Sequence, residues 1–300
     1  MSALEQDLRA RFGARLQSAR PLADLTSFRI GGPADLFLVV ETEDELAIAM
    51  AAAFRRQIPA FCLGSGTNLL VSDRGIRGLV IKLGEAFDTI SIHRMKVTAG
   101  AAAQFRTMVE TVVSAGLEGL EFGEGIPGSV GGGLVMNAGA FGGEMARVVV
   151  AVHGVTAEGN LRVLSKEDVG FAYRRTSLPA RFVITRVDFE LTAGDRDILW
   201  SRVRDLRAKR AARQPNGLPN AGSVFKNPPG NFAGRLLEGA GLKGVRMGGA
   251  AFSDQHANFI VNLGGARAEE VRALIEMARS QVRDSTGVVL EPEVRLIGDW

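Results

Sequence analysis

The stretch from Gly125 to Gly143 runs 19 residues without a charge, and eight of them are glycine. It has the length to cross a bilayer. Its glycines, Pro127 and Asn137 nevertheless rule out a continuous helix in lipid. It reads as a loop system, and no membrane association is expected. Glycine-dense loops let backbone N–H groups converge on an anion. A second such loop, Gly64-Ser65-Gly66-Thr67-Asn68, follows a short apolar run. Ser65, Thr67, Asn68, Ser129 and Asn137 supply hydrogen-bonding groups to the two loops. Either a phosphate or pyrophosphate cradle or a set of tight turns accounts for them, and the residues alone leave both open.

Two familiar nucleotide folds are set aside. Gly123, Gly125 and Gly128 spell Gly-x-Gly-x-x-Gly, with Glu144 about 20 residues further on, where a ribose-binding acid would stand. Pro127 and the glycines at 131 to 133 do not suit the opening of a helix. Residues 118 to 122 do not read as a buried parallel strand either. A Walker loop is excluded because none of the six lysines precedes Ser or Thr.

The rest of the chain alternates strand and helix signals, which predicts a mixed α/β or α+β class. A lead-in helix is expected over 3–14 and a strand over 35–40. A Thr42/Glu45 capping box opens an alanine-rich helix ending near Arg56. Strands follow at 60–63 and 79–83, a hairpin at 89–97 and a helix at 104–114. Further strands are expected at 148–155 and 182–191, a charged helix at 195–213, loops over 215–230 and a helix at 233–240. Val271, Leu274, Ile275, Ala278 and Val282 fall on one face of a helix over 268–283. A last strand is expected over 288–297.

Three hundred residues predict two domains at roughly 150 residues each. Apolar residues make up 46% and charged residues 23%, which excludes a disordered chain and a disulfide-stapled miniprotein. The lone Cys62 and three scattered histidines offer no metal site. The amino-terminal residues lack the order of a signal peptide, so a cytoplasmic protein is expected. A net charge of +3 does not by itself call for nucleic acid.

Candidate chemistry is sparse. Ser223, in Asn220-Ala-Gly-Ser-Val-Phe-Lys-Asn-Pro, can be a turn serine or, with Lys226 nearby, a proton donor. It lacks a nucleophile elbow. Arg174 and Arg175 can grip a carboxylate or phosphate in bidentate fashion, or simply face solvent. A carboxylate at Glu293, beside a buried strand, needs a partner, and Arg295 is the structural candidate. His256 reads as a surface histidine or as support for a neighbour.

Taken in order, Thr26-Ser-Phe-Arg-Ile-Gly-Gly-Pro-Ala-Asp35, Gly64-Ser-Gly-Thr-Asn-Leu-Leu-Val71, Gly125-Ile-Pro-Gly-Ser-Val-Gly-Gly132, Met136-Asn-Ala-Gly-Ala140, Tyr173-Arg174, Ala221-Gly-Ser-Val-Phe-Lys-Asn-Pro228, His256-Ala-Asn-Phe-Ile-Val-Asn262 and the final Glu-Val-Arg-Leu-Ile-Gly resemble the UDP-N-acetylenolpyruvoylglucosamine reductases. The ordered set spans nearly the whole chain. Thr67 stands where serine is expected and keeps the hydroxyl, and Arg175-Thr176 replaces a pair ending in serine. Tyr173 is the single tyrosine, so the chain resembles the shorter subclass that lacks a tyrosine-bearing loop.

The resemblance implies an FAD-binding domain of vanillyl-alcohol-oxidase type over 21–194, in lobes of about 21–84 and 85–194. An α+β substrate-binding domain would follow over 195–300, and the lead-in helix would occupy 1–20. FAD would lie against Gly64, Ser65, Gly66, Thr67, Asn68, Gly125, Ile126, Pro127, Gly128, Ser129, Gly132, Asn137, Ala138 and Gly139. NADPH would reduce the flavin. Ser223 would then protonate C2 of the enolpyruvyl substrate, with Arg174 and Glu293 as the other catalytic residues and Tyr173, Lys226, Asn227, His256 and Asn258 contacting substrate. The product would be UDP-N-acetylmuramate, a peptidoglycan precursor, made by a cytoplasmic monomer or weak oligomer.

Two rivals stand beside this reading. One is an FAD-dependent sugar or alcohol oxidase of the same fold. That enzyme would not need the Ser223 loop, and it often tethers flavin through His or Cys. The other is an anion-surface or nucleic-acid binder using Arg202, Arg204, Arg207, Lys209, Arg210 and Arg213. These alternate around their helix, which fits a solvated helix better than a binding stripe.

Overall fold

The computed structural model describes residues 1–215 and 217–300; Asn216, in the predicted 215–230 loops, lies outside the described residues. The chain packs as two units, each discontinuous in sequence. The first comprises Met1–Ser18, Leu36–Ser65 and Gly78–Arg210; the second comprises Ala19–Asp35, Gly66–Arg77 and Ala211–Trp300.

In the first unit a five-stranded antiparallel sheet runs in the order Leu161–Ser165, Val149–Val155, Val183–Glu190, Lys96–Gly100, Ile90–His93. The strand over 161–165, with only Leu164 buried, carried too weak an alternation to be expected. The helix Phe105–Ser114 buries Phe105, Met108, Val109, Val112 and Val113. That spacing places one face against the core, where these residues join Val130, Leu134, Val187 and Phe189. A second core gathers Leu36, Leu38, Val40, Leu79 and Ile81 with the alanine-rich helix Glu43–Arg55. Its capping box closes by half. Thr42 accepts from the Glu45 N–H at 3.1 Å, but the Glu45 carboxylate takes the Glu41 N–H at 2.8 Å instead of that of Thr42.

The glycine stretch departs from expectation. Val130–Val135 is a helix, opened by Ser129, whose hydroxyl accepts from the Gly132 N–H at 3.3 Å. Packing requires glycine there. A Cβ on Gly131 would lie 2.9 Å from that of Ala101, and one on Gly133 would lie 2.9 Å from the Phe105 ring. Low helix propensity is outweighed by close approach to the neighbouring helix and to the turn at Ala101.

In the second unit four strands run in the order Asn220–Ser223, Phe259–Asn262, Ala250–Phe252, Arg246–Met247. The helix Ala268–Thr286 buries the expected stripe together with Ala268. Its first free N–H groups are taken by Asp73, from Ala268 to Oδ1 at 2.9 Å and from Glu269 to Oδ2 at 3.1 Å. An acidic side chain there also meets the positive end of the helix dipole. The expected strand over 288–297 shortens to Arg295–Ile297, parallel to Leu69–Val71. Pro292 has no N–H for a ladder. The groups flanking it pair instead with the loop after Ser223, Lys226 N–H to Glu291 C=O at 2.9 Å and Glu293 N–H to Val224 C=O at 2.7 Å.

The charged helix, Arg196–Ala211, is largely exposed, as expected, with Leu199 and Val203 buried and two of its exposed arginines paired with glutamates. Arg202 pairs with Glu118 and Glu121, and Arg207 reaches Glu124 at 2.8 Å and Glu110 at 3.1 Å. Among the described residues no helix is long and apolar enough to cross a membrane.

Candidate active site

Gly64 and Ser65, which open the first glycine loop, meet the second loop within the first unit. A Cβ on Gly64 would lie 3.0 Å from Ser129 Oγ, so glycine is required where the loops touch. The Gln104 amide donates to Ser65 Oγ at 3.5 Å, and Gln104 bridges to Ser129 through the backbone. Phe105 N–H donates to Gly128 C=O, and Val130 N–H to Ala103 C=O, each at 2.8 Å. These bonds set Pro127, Gly128 and Ser129 beside Gly64 and Ser65. Lys82, which composition did not single out, donates its ammonium to Gly64 C=O at 3.2 Å. Burial lowers its pKa. Beside it, burial pushes the Cys62 thiol up to about 12, which leaves it unreactive near neutrality. Bare backbone, small hydroxyls and one ammonium suit the diphosphate of a dinucleotide cofactor. No carboxylate stands among the loop residues to repel it.

Asn137 works inside this stretch. Buried and left-handed at φ 41°, it donates to Ala172 C=O at 3.1 Å and accepts from the Ala146 N–H at 3.0 Å. It thereby ties the glycine stretch to the turn that carries Tyr173 and Arg174. Within that turn Ala172 and Arg175 exchange backbone hydrogen bonds at 3.0 and 3.2 Å. Arg174 is held at φ 56°, a conformation that costs a non-glycine residue of order 1 kcal/mol or more and is concentrated at functional sites. Its guanidinium lies over the Tyr173 ring at 5.1 Å. Thr176 secures the turn through Val135 C=O at 3.1 Å.

The second unit brings Ser223 and Glu293 side by side through main chain. Val224 C=O accepts from Glu293 N–H at 2.7 Å and from Val294 N–H at 3.3 Å. Asn68, on the far half of the first loop, donates to Glu293 C=O at 3.1 Å, and its own C=O accepts from Arg295 N–H at 3.0 Å. Gly66 precedes it at φ 65°, where a Cβ would lie 2.2 Å from Leu25 C=O.

The residues expected to touch substrate divide by their contacts. Asn258 is buried and spends both ends of its amide on Phe225, which places it as a residue that shapes the Ser223 loop. Asn227 accepts from Ala233 N–H at 3.0 Å, at the start of the helix Ala233–Gly239. Lys226 pairs its ammonium with the exposed Glu291 carboxylate. His256 packs edge-on against Phe259 at 5.1 Å and lies over Gly234, where a Cβ would come within 2.9 Å of the ring. Its Nδ1 accepts from Asn258 N–H at 3.1 Å, which puts the neutral ring's proton on Nε2. Burial lowers its pKa.

Residues 34–165 match an FAD binding domain family, and residues 214–297 match the family described as UDP-N-acetylenolpyruvoylglucosamine reductase, C-terminal domain. The fold and the matched families thus define a flavoprotein oxidoreductase, with an FAD-binding domain joined to a C-terminal α+β domain. The chain is 45% identical over 301 residues to UDP-N-acetylenolpyruvoylglucosamine reductase 2 of Symbiobacterium thermophilum, covering 99% of this chain and 98% of that one. It is 44% identical to the Heliobacterium modesticaldum reductase, covering 96% and 92%. The crystal structure of the Thermus caldophilus reductase superposes with a TM-score of 0.81 at 38% identity, over 94% of this chain and 97% of that one. The chain belongs to the UDP-N-acetylenolpyruvoylglucosamine reductase family.

Proposed function

We propose that this protein reduces UDP-N-acetylglucosamine enolpyruvate to UDP-N-acetylmuramate with electrons from NADPH, in the cytoplasmic synthesis of peptidoglycan precursors. We assign the FAD-binding domain to 21–194 and the substrate-binding domain to 195–300. The observation that carries the reading is the main-chain ladder joining the Ser223 loop to Glu293, with Val224 C=O held by Glu293 N–H at 2.7 Å. It sets a hydroxyl and a carboxyl on adjacent backbone, a fit arrangement for delivering one proton.

The glycine loops over 64–68 and 125–139 would hold FAD, with Lys82 adding positive charge at Gly64. FAD held there would supply the hydride chemistry, taking reducing equivalents from NADPH for the enolpyruvyl group. Charge then develops toward the carboxylate as an enolate. Arg174 grips that carboxylate and stabilises the enolate more strongly than the ground state, the differential binding that lowers a barrier. Ser223 gives its proton to C2 and Glu293 polarises the same group. The strained φ of Arg174 fits this role, because the surrounding turn fixes the guanidinium before substrate arrives.

The test is anaerobic. Protein loaded with FAD is reduced with NADPH, the enolpyruvyl substrate is added, and flavin absorbance is followed. Return of the oxidised spectrum with formation of the lactyl ether supports the reading. Flavin that stays reduced until air is admitted would replace it with an oxidase.

A further inference from the structure

Arg210 stands one turn beyond Arg207 on the helix Arg196–Ala211. Its neighbour Arg207 is satisfied by Glu124 and Glu110, but Arg210 is not. Its Nε is buried with no hydrogen-bond partner, and among the described residues it makes no ion pair. The side chain packs so closely on Gly125 that a Cβ there would lie 2.6 Å from Arg210 Cδ. Its guanidinium lies over the Phe141 ring at 5.6 Å. Burial lowers its pKa, the Glu124 carboxylate opposes that, and the charge of Arg174 adds to it. Two arginines of the same unit thus act on each other as like charges beside the glycine loop.

Arg210 is half-buried, with its Nε out of water, and a folded chain gains little from stripping water from part of a cation without pairing it. An arginine held open by stacking on an aromatic ring is, however, already in place to receive an anion, and it loses little freedom in doing so.

Building on the proposed function, we infer that Arg210 is a second anion-binding residue of the site, holding a carboxylate or phosphate oxygen of the substrate alongside Arg174. It sets specificity, because a neutral analogue would leave the cation half-buried and unpaired.

The test compares wild-type, Arg210→Met and Arg210→Lys proteins, all loaded with FAD. Arg210→Met is expected to raise KM for the enolpyruvyl substrate by about tenfold or more, as loss of a charge-assisted hydrogen bond implies, with kcat changed less. Arg210→Lys should restore part of the loss. The melting temperature of Arg210→Met should match or exceed that of wild type, because an unpartnered, half-buried charge has been removed. Binding of UDP-N-acetylglucosamine, which lacks the carboxylate, tells the two anions apart. If Arg210→Met weakens it equally, the group held is the diphosphate; if binding is unchanged, it is the carboxylate. An unchanged KM overturns the inference. So does a lowered melting temperature with loss of FAD, which would make Arg210 a structural partner of Glu124. A wild-type protein that does not turn the substrate over would instead defeat the proposed function itself.

Discussion

Asn258 closes both ends of its amide on one backbone unit, that of Phe225. Phe225 N–H donates to Oδ1 at 2.9 Å, and Nδ2 donates to Phe225 C=O at 2.8 Å. Together with Val224 N–H on Asn258 C=O at 2.9 Å, this fixes the two residues after Ser223. Asn258→Ala leaves two buried backbone groups unpartnered and is expected to cost about 2–4 kcal/mol. Denaturant melts measure it. Asn258→Asp keeps only the acceptor and should recover part of the loss; equal destabilisation by both variants would show that the amide donor alone matters.

On the proposed reaction, Ser223→Ala should leave flavin reduction by NADPH near the wild-type rate and slow reoxidation by substrate by about 10²-fold or more. Stopped-flow absorbance separates the two half-reactions. Equal slowing of both would remove Ser223 as proton donor.

Asn137 and Arg174 make a linked pair of predictions. Arg174→Lys keeps the charge but loses the fork, and turnover should fall by about 10²-fold with the fold intact. Asn137→Ala frees Ala172 C=O and Ala146 N–H, so the turn that holds Arg174 should loosen. Hydrogen exchange over 172–176 should rise together with KM. Unchanged exchange would mean that the Thr176 bond to Val135 C=O suffices.

His256 titrates below its ordinary value of 6.5 because burial disfavours the cation. Below about pH 6.5 the unfolded chain takes up this proton first, so stability falls with falling pH until the folded-state pKa is reached. Protonation also removes the Nδ1 acceptor from the Asn258 N–H. Melting temperatures between about pH 5 and 7 should show this slope, and His256→Gln should flatten it. An unaltered slope would assign the pH dependence to other groups.

Much of this architecture was legible in the order of residues. Helices were visible where apolar residues recur at 3.6-residue spacing, as from Val271 to Val282. The glycine loops were visible because so long an uncharged run admits few structures. The resemblance placed Ser223, Arg174 and Glu293 in one family of sites. Other features depended on contacts between distant segments. Helix formation through Gly131–133 follows from the nearness of Ala101 and Phe105, which no local propensity encodes. Asn258 and Asn137 read as polar residues near a ligand, and folding spends their amides on backbone brought from 33 and 35 residues away. Among the arginines of one charged helix, the sequence offers no means of telling Arg210 from its neighbours. Only the packed chain pairs Arg202 and Arg207 with glutamates and leaves Arg210 half-buried and unpaired against Phe141. Periodicity and loop chemistry are properties of neighbours along the chain. Which polar group finds a partner, and which is held in reserve, is decided by where the tertiary fold excludes water.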